Sequence, residues 1–336
     1  MDASLANGFL ARAFAAFDIG AAASAKALGG ASANLTWRID ARGETFFLKE
    51  FRYTPTDDRW VDSLRAAVEF EAAIWRSGAI DMPEPVAGKS GEFLETVTGS
   101  HGVDAIVRLH RWTPGQSSPP QVAVTTARAA GAQLGAVQSI GAQHRSARSG
   151  SLLWWNWEPR ETLARFGAGG FLTAVEVAQY ASVIDEAIAL AEVGQQTDCW
   201  TFCHGDHKPD NVLLRDDRLI LTDWDEAALC PPRYEVTEAA LLWSGWDGRI
   251  ASRERMVAFL EGYRSGGAAI DRPEPLDFAK WAAERVGWFN YLALRTLGLA
   301  SSSDAEMGEA LKGAIATLRE TAAGLPQLER WAAWMT

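Results

Sequence analysis

The chain has 336 residues, 48% of them hydrophobic and 22% charged, which supplies a core of ordinary size and room for two lobes but hardly for a repeat array. Its 43 acidic against 32 basic side chains leave a net charge of −11, which argues against a nucleic-acid backbone as principal ligand and suits cationic or metal-escorted ligands. No segment approaches the length of about eighteen apolar residues that a membrane span needs, and three cysteines, Cys199, Cys203 and Cys230, are too few for a disulfide framework, so a reducing, cytoplasmic compartment is expected.

The N-terminal MDASLANGFLARAFAAF has no basic run before an apolar core, and Arg12 interrupts its one apolar stretch, so no cleaved signal is expected. Leu5, Phe9, Phe14 and Phe17 fit an amphipathic helix. Lys26–Gly30 then leads through ASAN into Leu35–Asp40, with a turn at Ala41–Glu44 and a third strand in TFFLKEF. A helical pattern from Trp60 to Ser77 stops at Gly78, and Pro83 and Pro85 precede strand candidates at Glu92–Val97 and Asp104–His110. The Pro/Gly/Ser-rich stretch Thr113–Pro120 separates this β-rich part, residues 1–112, from a mostly helical remainder, residues 113–336.

Within the first part, Gly29, Gly30, Ser32 and Asn34 occupy the first turn, where small residues let backbone N–H groups approach a phosphate, although the full G-x-G-x-x-G pattern is missing and a Gly-Gly turn is more often structural. Lys49 follows the apolar run Phe46–Leu48, so it either alternates out to solvent or meets an anion. In the helix, Val61, Leu64, Val68 and Trp75 form an apolar stripe that includes Glu71, whereas Glu69 falls with Asp62, Arg65 and Arg76 on the polar face. An inward Glu71 pairing with Lys49 is the economical reading; two unrelated surface charges are the alternative.

The segment WTFCHGDHKPDNVLLRDDRLILTDWD, residues 200–225, carries the chemistry. A strand-like run ends at His204, a hairpin of Val212–Leu214 and Leu219–Thr222 turns at Arg215–Arg218, and Asp223 ends its second strand. Phosphoryl transfer needs a carboxylate near the attacking hydroxyl and oxygen ligands for Mg2+. Here H-x-D-x-x-x-x-N is present as His204, Asp206 and Asn211, with Asp223 twelve residues later. An Asx-rich turn would explain Asp210, Asn211, Asp216 and Asp217 but not His204 and Asp206 as well.

HGDHKPDN followed by LTDWD resembles the aminoglycoside phosphotransferase and choline-kinase-like family, and the resemblance extends over nearly the whole chain. It implies an α+β, bilobal protein-kinase-like fold: a small β-rich N-lobe with one long helix, residues 1–112, that binds nucleotide, and a larger helical C-lobe, residues 113–336, with the catalytic loop and acceptor-binding helices. By that resemblance the cofactors are ATP and Mg2+, Asp206 is the catalytic base, Asn211 and Asp223 the Mg2+ ligands, Lys49 the α/β-phosphate ligand with Glu71 as its partner, and His204 orients the loop. The adenine-binding hinge would be the backbone of His110, Arg111 and Trp112. DWDEAALCPPRYE continues the likeness as far as Pro231 and Tyr234-Glu235, with Glu235 where the family has aspartate. Two other departures are Gln138, in the place of the family's Leu-His pair, and Lys208, which makes the loop look like the HRDLKPEN of protein kinases and would touch the γ-phosphate.

Only seven residues separate Asp223 from Pro231, too few for a peptide-binding activation segment, so a small hydroxyl compound is the expected acceptor, with neither nucleic acid nor membrane as partner. An aminoglycoside-like antibiotic, an amino sugar or an amino alcohol fits the acidic balance. Candidate acceptor contacts are Asp225, Glu238, Trp243, Trp246, Asp247, Trp281, Glu284, Trp288, Asn290 and Tyr291, together with the Trp154–Glu158 tract WWNWE, although most of the 15 tryptophans belong to the core. The alternatives are a bacterial stress-type protein Ser/Thr kinase, favoured by Lys208, and a nucleotide-binding regulator without catalysis, which would be expected to have lost one of Lys49, Asp206, Asn211 or Asp223.

Overall fold

The computed structural model describes residues 3–28, 34–51, 58–100, 102–119, 121–145, 151–152, 158–246, 248, 250–299 and 304–336. Gly29, Gly30, Ser32, Asp247 and the tryptophans of WWNWE lie outside the described residues. In chain order the elements are α1 (Ala3–Ala16), β1 (Ala22–Leu28), β2 (Asn34–Ala41), β3 (Glu44–Phe51), α2 (Asp58–Ser77), β4 (Pro85–Val86), β5 (Glu95–Thr98), β6 (Asp104–Arg111), β7 (Gln116–Ser117), α3 (Val124–Gly141), α4 (Pro159–Ala168), α5 (Ala174–Gly194), β8 (Thr201–Cys203), β9 (Val212–Arg215), β10 (Arg218–Leu221), β11 (Ala228–Cys230), α6 (Pro232–Trp243), α7 (Arg253–Ser265), α8 (Ala279–Thr296), α9 (Asp304–Gly324) and α10 (Leu328–Trp334). Chain contacts group these into two units, one of residues 1–118 with 210–228 and one of residues 119–209 with 229–336.

In the first unit an antiparallel sheet runs β1-β2-β3-β6-β4, with β5 also on β6. Arg42 and Gly43 both take positive φ between β2 and β3, the backbone of a two-residue hairpin loop, which is why the expected turn at Ala41–Glu44 closes so tightly. Alternation then sorts the sheet. Phe46 and Leu48 of β3, Val107 and Leu109 of β6 and Trp37 and Ile39 of β2 join Phe9 and Ala13 of α1, and Phe17 just after it, in one apolar core. Thr36, Phe47, Lys49, Arg108 and His110 are left for the opposite face. The strand expected over Glu92–Val97 begins later, because residues 88–92 form a turn (Gly88 N–H to Glu92 O, 2.7 Å) whose Ser90 hydroxyl donates to Glu95, at 2.6 Å.

Helix α2 buries Leu64, Ala67, Val68, Phe70, Glu71 and Ile74. Glu71 is inward as expected, whereas Trp75, placed on the apolar stripe from sequence, is 38% exposed, because Ile74 takes the inner position of the last turn. Gly78 ends the helix with φ +62. The β9–β10 hairpin belongs to this unit too and turns through Asp216 and Asp217, both at positive φ, as the run of turn-forming aspartates foretold.

The second unit is helical apart from the β8–β11 pairing. Its tightest packing joins α3 and α7 through glycines: a Cβ on Gly131 would lie 1.8 Å from Phe259 O, and one on Gly262 1.8 Å from Arg128 O. A core of Leu152, Ala191, Cys203, Cys230, Tyr234, Ala279 and Ala283 places the end of β8 and the start of α6 side by side. No described helix is long and apolar enough to cross a membrane.

Candidate active site

The first unit encloses a cavity of about 480 Å³, lined among others by Lys49, Arg108, His110, Asn211, Asp223 and Asp225. The β9–β10 hairpin brings two of these together. Thr222 donates from both its N–H and its hydroxyl to the Asn211 carbonyl, each at 2.9 Å, so Asn211 and the adjoining Asp223 are tied to one wall. Asp223 sits at φ +62, ψ +65, a left-handed conformation that aspartate tolerates better than most residues, and the chain then makes a 3-10 turn over Trp224–Glu226. Trp224, 1% exposed, packs edge-on against Phe70 of α2 and anchors the turn.

Lys49 Nζ contacts Asp223 Oδ1 at 2.7 Å and also meets Asp225. Burial alone would lower the pKa of this ammonium, but the carboxylates of Asp225 and Asp223 outweigh it and hold the group above the ordinary lysine value. Glu71 does not pair with Lys49. Its carboxylate meets Arg108 and, at 2.9 Å, His110 Nε2. Arg108, 3% exposed, reaches Asp225 at 2.6 Å with its other arm, and although burial works against its charge, Glu71 and Asp225 raise its pKa. The expected Lys49–Glu71 pair fails because Arg108, directly across the ladder from Lys49, has the longer reach and a planar fork that takes two carboxylates. Asp225, expected among the acceptor contacts, is likewise drawn into this network and is 13% exposed.

The backbone hinge also needs correction. Strand β6 runs on through Arg111, so the Arg111 N–H donates to Glu84 O and the Trp112 N–H to Thr45 O, both at 2.9 Å, and neither donor is left for a ligand. The side chain of Arg111 pairs with Glu44 and Glu84. His110, Arg111 and Trp112 do line the cavity, and so does Thr113. Asn34, the described member of the first-turn group, starts β2 opposite Phe51.

In the second unit the loop after β8 is held by a buried hydrogen-bond chain. Gly205, at φ +86, donates its N–H to Glu235 Oε1 at 2.6 Å; Gln138 Nε2 donates to Glu235 Oε2 at 2.6 Å; and the Tyr263 hydroxyl donates to Gln138 Oε1 at 2.5 Å. Burial, with Cys203 and Glu235 nearby, pushes the Tyr263 phenol up and keeps it a donor. Gln138 and Glu235, two departures from the family pattern, are thus a matched pair. His204 is fully buried and its Nδ1 accepts from the Asp206 N–H at 3.3 Å. Asp206 and Lys208 are partly exposed and form a 2.7 Å ion pair. Between them His207 turns inward, its Nδ1 accepting from Trp243 Nε1 at 3.1 Å, and burial, then the neighbouring His204, push its pKa down to about 3.

The acceptor candidates fare unevenly. Trp243 and Trp281 are fully buried, and Trp246 is 9% exposed: Trp243 packs with His207 and Phe259, while Trp246 and Trp281 pack on Trp331. As bulky indoles in the helical core, these three are packing residues rather than a surface for an acceptor. Trp288 is half-buried and stacks on Tyr291, and Asn290 accepts from the Thr162 hydroxyl at 2.5 Å. Glu238 and Glu284 both hold Lys280, at 2.5 and 3.1 Å, and burial raises the Glu238 carboxyl to about 7.

Sequence reasoning missed Arg108 and Gln138. Arg108 had a signal, since it stands two positions before His110 in a strand whose alternate residues are apolar; Gln138 had none beyond its departure from the family pattern. Among the described residues no three His, Cys, Asp or Glu side chains gather as a metal site.

The fold is similar to that of several solved kinases. One is an amicoumacin kinase in complex with AMP-PNP, Ca2+ and Ami, with TM-score 0.67 and 15% identity over 95% of this chain and 93% of that one. Another is a spectinomycin phosphotransferase in complex with ADP and its antibiotic, with TM-score 0.62 and 14% identity over 91% and 94% of the two chains. A third is a microcompartment-associated aminopropanol kinase, with TM-score 0.58 and 18% identity over 94% and 95%. At such identities the likeness establishes the α+β, protein-kinase-like fold expected from the sequence. No curated protein sequence matches the chain significantly. The sequence model of the phosphotransferase enzyme family matches residues 24–276, most of the chain, and the protein therefore belongs to that family and is a phosphotransferase.

Proposed function

We propose that the protein is an ATP- and Mg2+-dependent O-phosphotransferase that moves the γ-phosphate to a hydroxyl of a small, cationic molecule. The observation that carries this reading is the convergence of Lys49, Asn211 and Asp223 on one cavity. Its donor set fits a hard divalent cation: the Asp223 side chain is 43% exposed and offers carboxylate oxygen, and Asn211 offers an amide oxygen. Bound there with the nucleotide, Mg2+ would offset charge on the phosphate oxygens. That similar folds were solved with AMP-PNP and Ca2+ or with ADP supports a nucleotide in this role.

The residues divide the work as follows. Lys49, kept cationic by its carboxylates, neutralises phosphate oxygens at the cavity wall, and Thr113, past the end of β6, offers the adenine edge the backbone N–H that Arg111 and Trp112 have already spent. Asp206 accepts the proton of the acceptor hydroxyl as its oxygen bonds to phosphorus and the bond to ADP breaks, and Lys208 steadies charge on the transferred group. The Glu235–Gln138–Tyr263 chain and His204 fix the loop that carries Asp206. Residues 1–118 with the 210–228 return form the nucleotide part, and the helices from α6 onward supply the acceptor side, for which the −11 charge of the chain favours a cation. The kinases of similar fold act on amicoumacin, spectinomycin and aminopropanol, which supports antibiotics and amino alcohols as acceptor classes. The three cysteines are free, in keeping with a cytoplasmic setting.

The test is a panel of aminoglycosides, peptide-like antibiotics, amino sugars and amino alcohols incubated with MgATP and read by mass gain. Phosphate transfer to a panel member, lost in Asp206→Asn while nucleotide affinity persists, is expected. Transfer only to a generic protein substrate would instead favour the protein-kinase reading.

A further inference from the structure

Lys49 and Arg108 stand directly opposite each other on β3 and β6, and both are buried. Like charges across a ladder repel unless a counter-charge lies between them. Asp225 is that counter-charge, since its Oδ2 meets Lys49 and its Oδ1 lies 2.6 Å from Arg108. The result is an unbroken alternation of acid and base, Glu71, Arg108, Asp225, Lys49, Asp223, running from the interior to the exposed carboxylate at the cavity.

We propose that Arg108 is a positioning residue of the nucleotide site: by holding Glu71 and Asp225 at once, it makes Asp225 the fixed anchor of Lys49 and so aims the lysine at the phosphates without a direct bond from helix α2. The inference rests on reading this cavity as the nucleotide site. Among the described residues the ion pairs of Lys49 are with Asp223 and Asp225 and none is with α2, whose Glu71 is taken by Arg108 and His110. Arg108, in turn, has its two arms on Glu71 and Asp225, whereas Lys49 reaches the exposed carboxylate of Asp223. A lysine at 108 would be a point charge able to hold one of the two carboxylates, not both.

The experiment compares wild type with Arg108→Met, Arg108→Lys and the double variant Arg108→Met/Glu71→Gln, measuring thermal midpoint and the affinity for AMP-PNP with Mg2+ by calorimetry. Wild-type binding checks the nucleotide reading by itself; if it is absent, that reading and the proposal fall together. For Arg108→Met, affinity should weaken at least tenfold and the midpoint should fall, because Glu71 is left buried without its cation. The double variant removes that orphan charge, so its midpoint should recover while its affinity stays weak, as Asp225 is still unheld; Arg108→Lys should recover affinity in part. A double variant that regains both midpoint and affinity would show Arg108 to be a neutralising partner of Glu71 and nothing more, and would overturn the proposal. An Arg108→Met protein that binds within twofold of wild type, or full recovery with lysine, would overturn it equally.

Discussion

Acid should loosen the loop after β8 through His207. This imidazole is 2% exposed, its Nδ1 accepts from the Trp243 indole, and its pKa is pushed from 6.5 down to about 3, first by burial and then by His204. In the unfolded chain the ring takes up a proton as pH drops through 6.5, while in the folded chain it stays neutral. Between these values the unfolded state binds more protons, so stability falls as pH falls, by up to about 1.4 kcal/mol per pH unit for this one group. Integrated from pH 6.5 to 4.5 the loss is about 2 kcal/mol. Other carboxylates titrate in the same window, so the measurement is a comparison with His207→Asn, whose amide oxygen sits where Nδ1 was and keeps the acceptor for Trp243 without titrating. Urea denaturation of both proteins across this range should show the variant less stable at neutral pH, from the small void it leaves, and the gap closing by about 2 kcal/mol on acidification. A gap that does not change with pH would refute the account of His207 as a ring buried neutral.

Three further outcomes are expected. Gly131→Ala or Gly262→Ala puts a methyl 1.8 Å from a carbonyl oxygen of the facing helix, so α3 and α7 must separate; a stability loss of about 3 kcal/mol or more in urea melts is expected, and a neutral result would contradict the close helix approach. Glu235→Ala removes the acceptor of both Gly205 N–H and Gln138 Nε2, which should lower kcat about 10- to 100-fold through a displaced loop while leaving nucleotide affinity unchanged in calorimetry. Asp223→Asn keeps a residue that tolerates the left-handed backbone, so it should melt near wild type yet lose most Mg2+-dependent nucleotide binding; Asp223→Ala should lose that binding too and melt lower by about 1 kcal/mol or more, from backbone strain alone.

Much of the fold was legible because period and punctuation are local properties. Phe46, Leu48 and Lys49 alternate in β3 as TFFLKEF requires, Arg42-Gly43 and Asp216-Asp217 turn where turn-formers cluster, and Gly78 stops α2. Spacing likewise made Asp206, Asn211 and Asp223 visible, since a hairpin of fixed length carries Asn211 and Asp223 to the same wall. The choice of partners was not legible. Glu71 was correctly turned inward by helical periodicity, yet which cation it meets depends on strand register and on side-chain reach, and the β3–β6 register puts Arg108 there instead of Lys49. Trp75 shows the same limit within one turn of helix, where Ile74 took the core position.

Hydrophobic period and turn chemistry therefore placed strands β1–β3, helix α2 and the β9–β10 hairpin from sequence alone, while the resemblance carried by HGDHKPDN and LTDWD implied the fold class and singled out Lys49, Asn211 and Asp223, which line the cavity. The tertiary structure alone decided the pairing of those charges, the spent N–H groups of Arg111 and Trp112, and the Gln138–Glu235 brace on the loop. The reason is physical: an ion pair or a hydrogen bond is a property of distance between side chains far apart in sequence, and several alternative pairings satisfy the same pattern of buried and exposed positions until packing fixes which atoms touch.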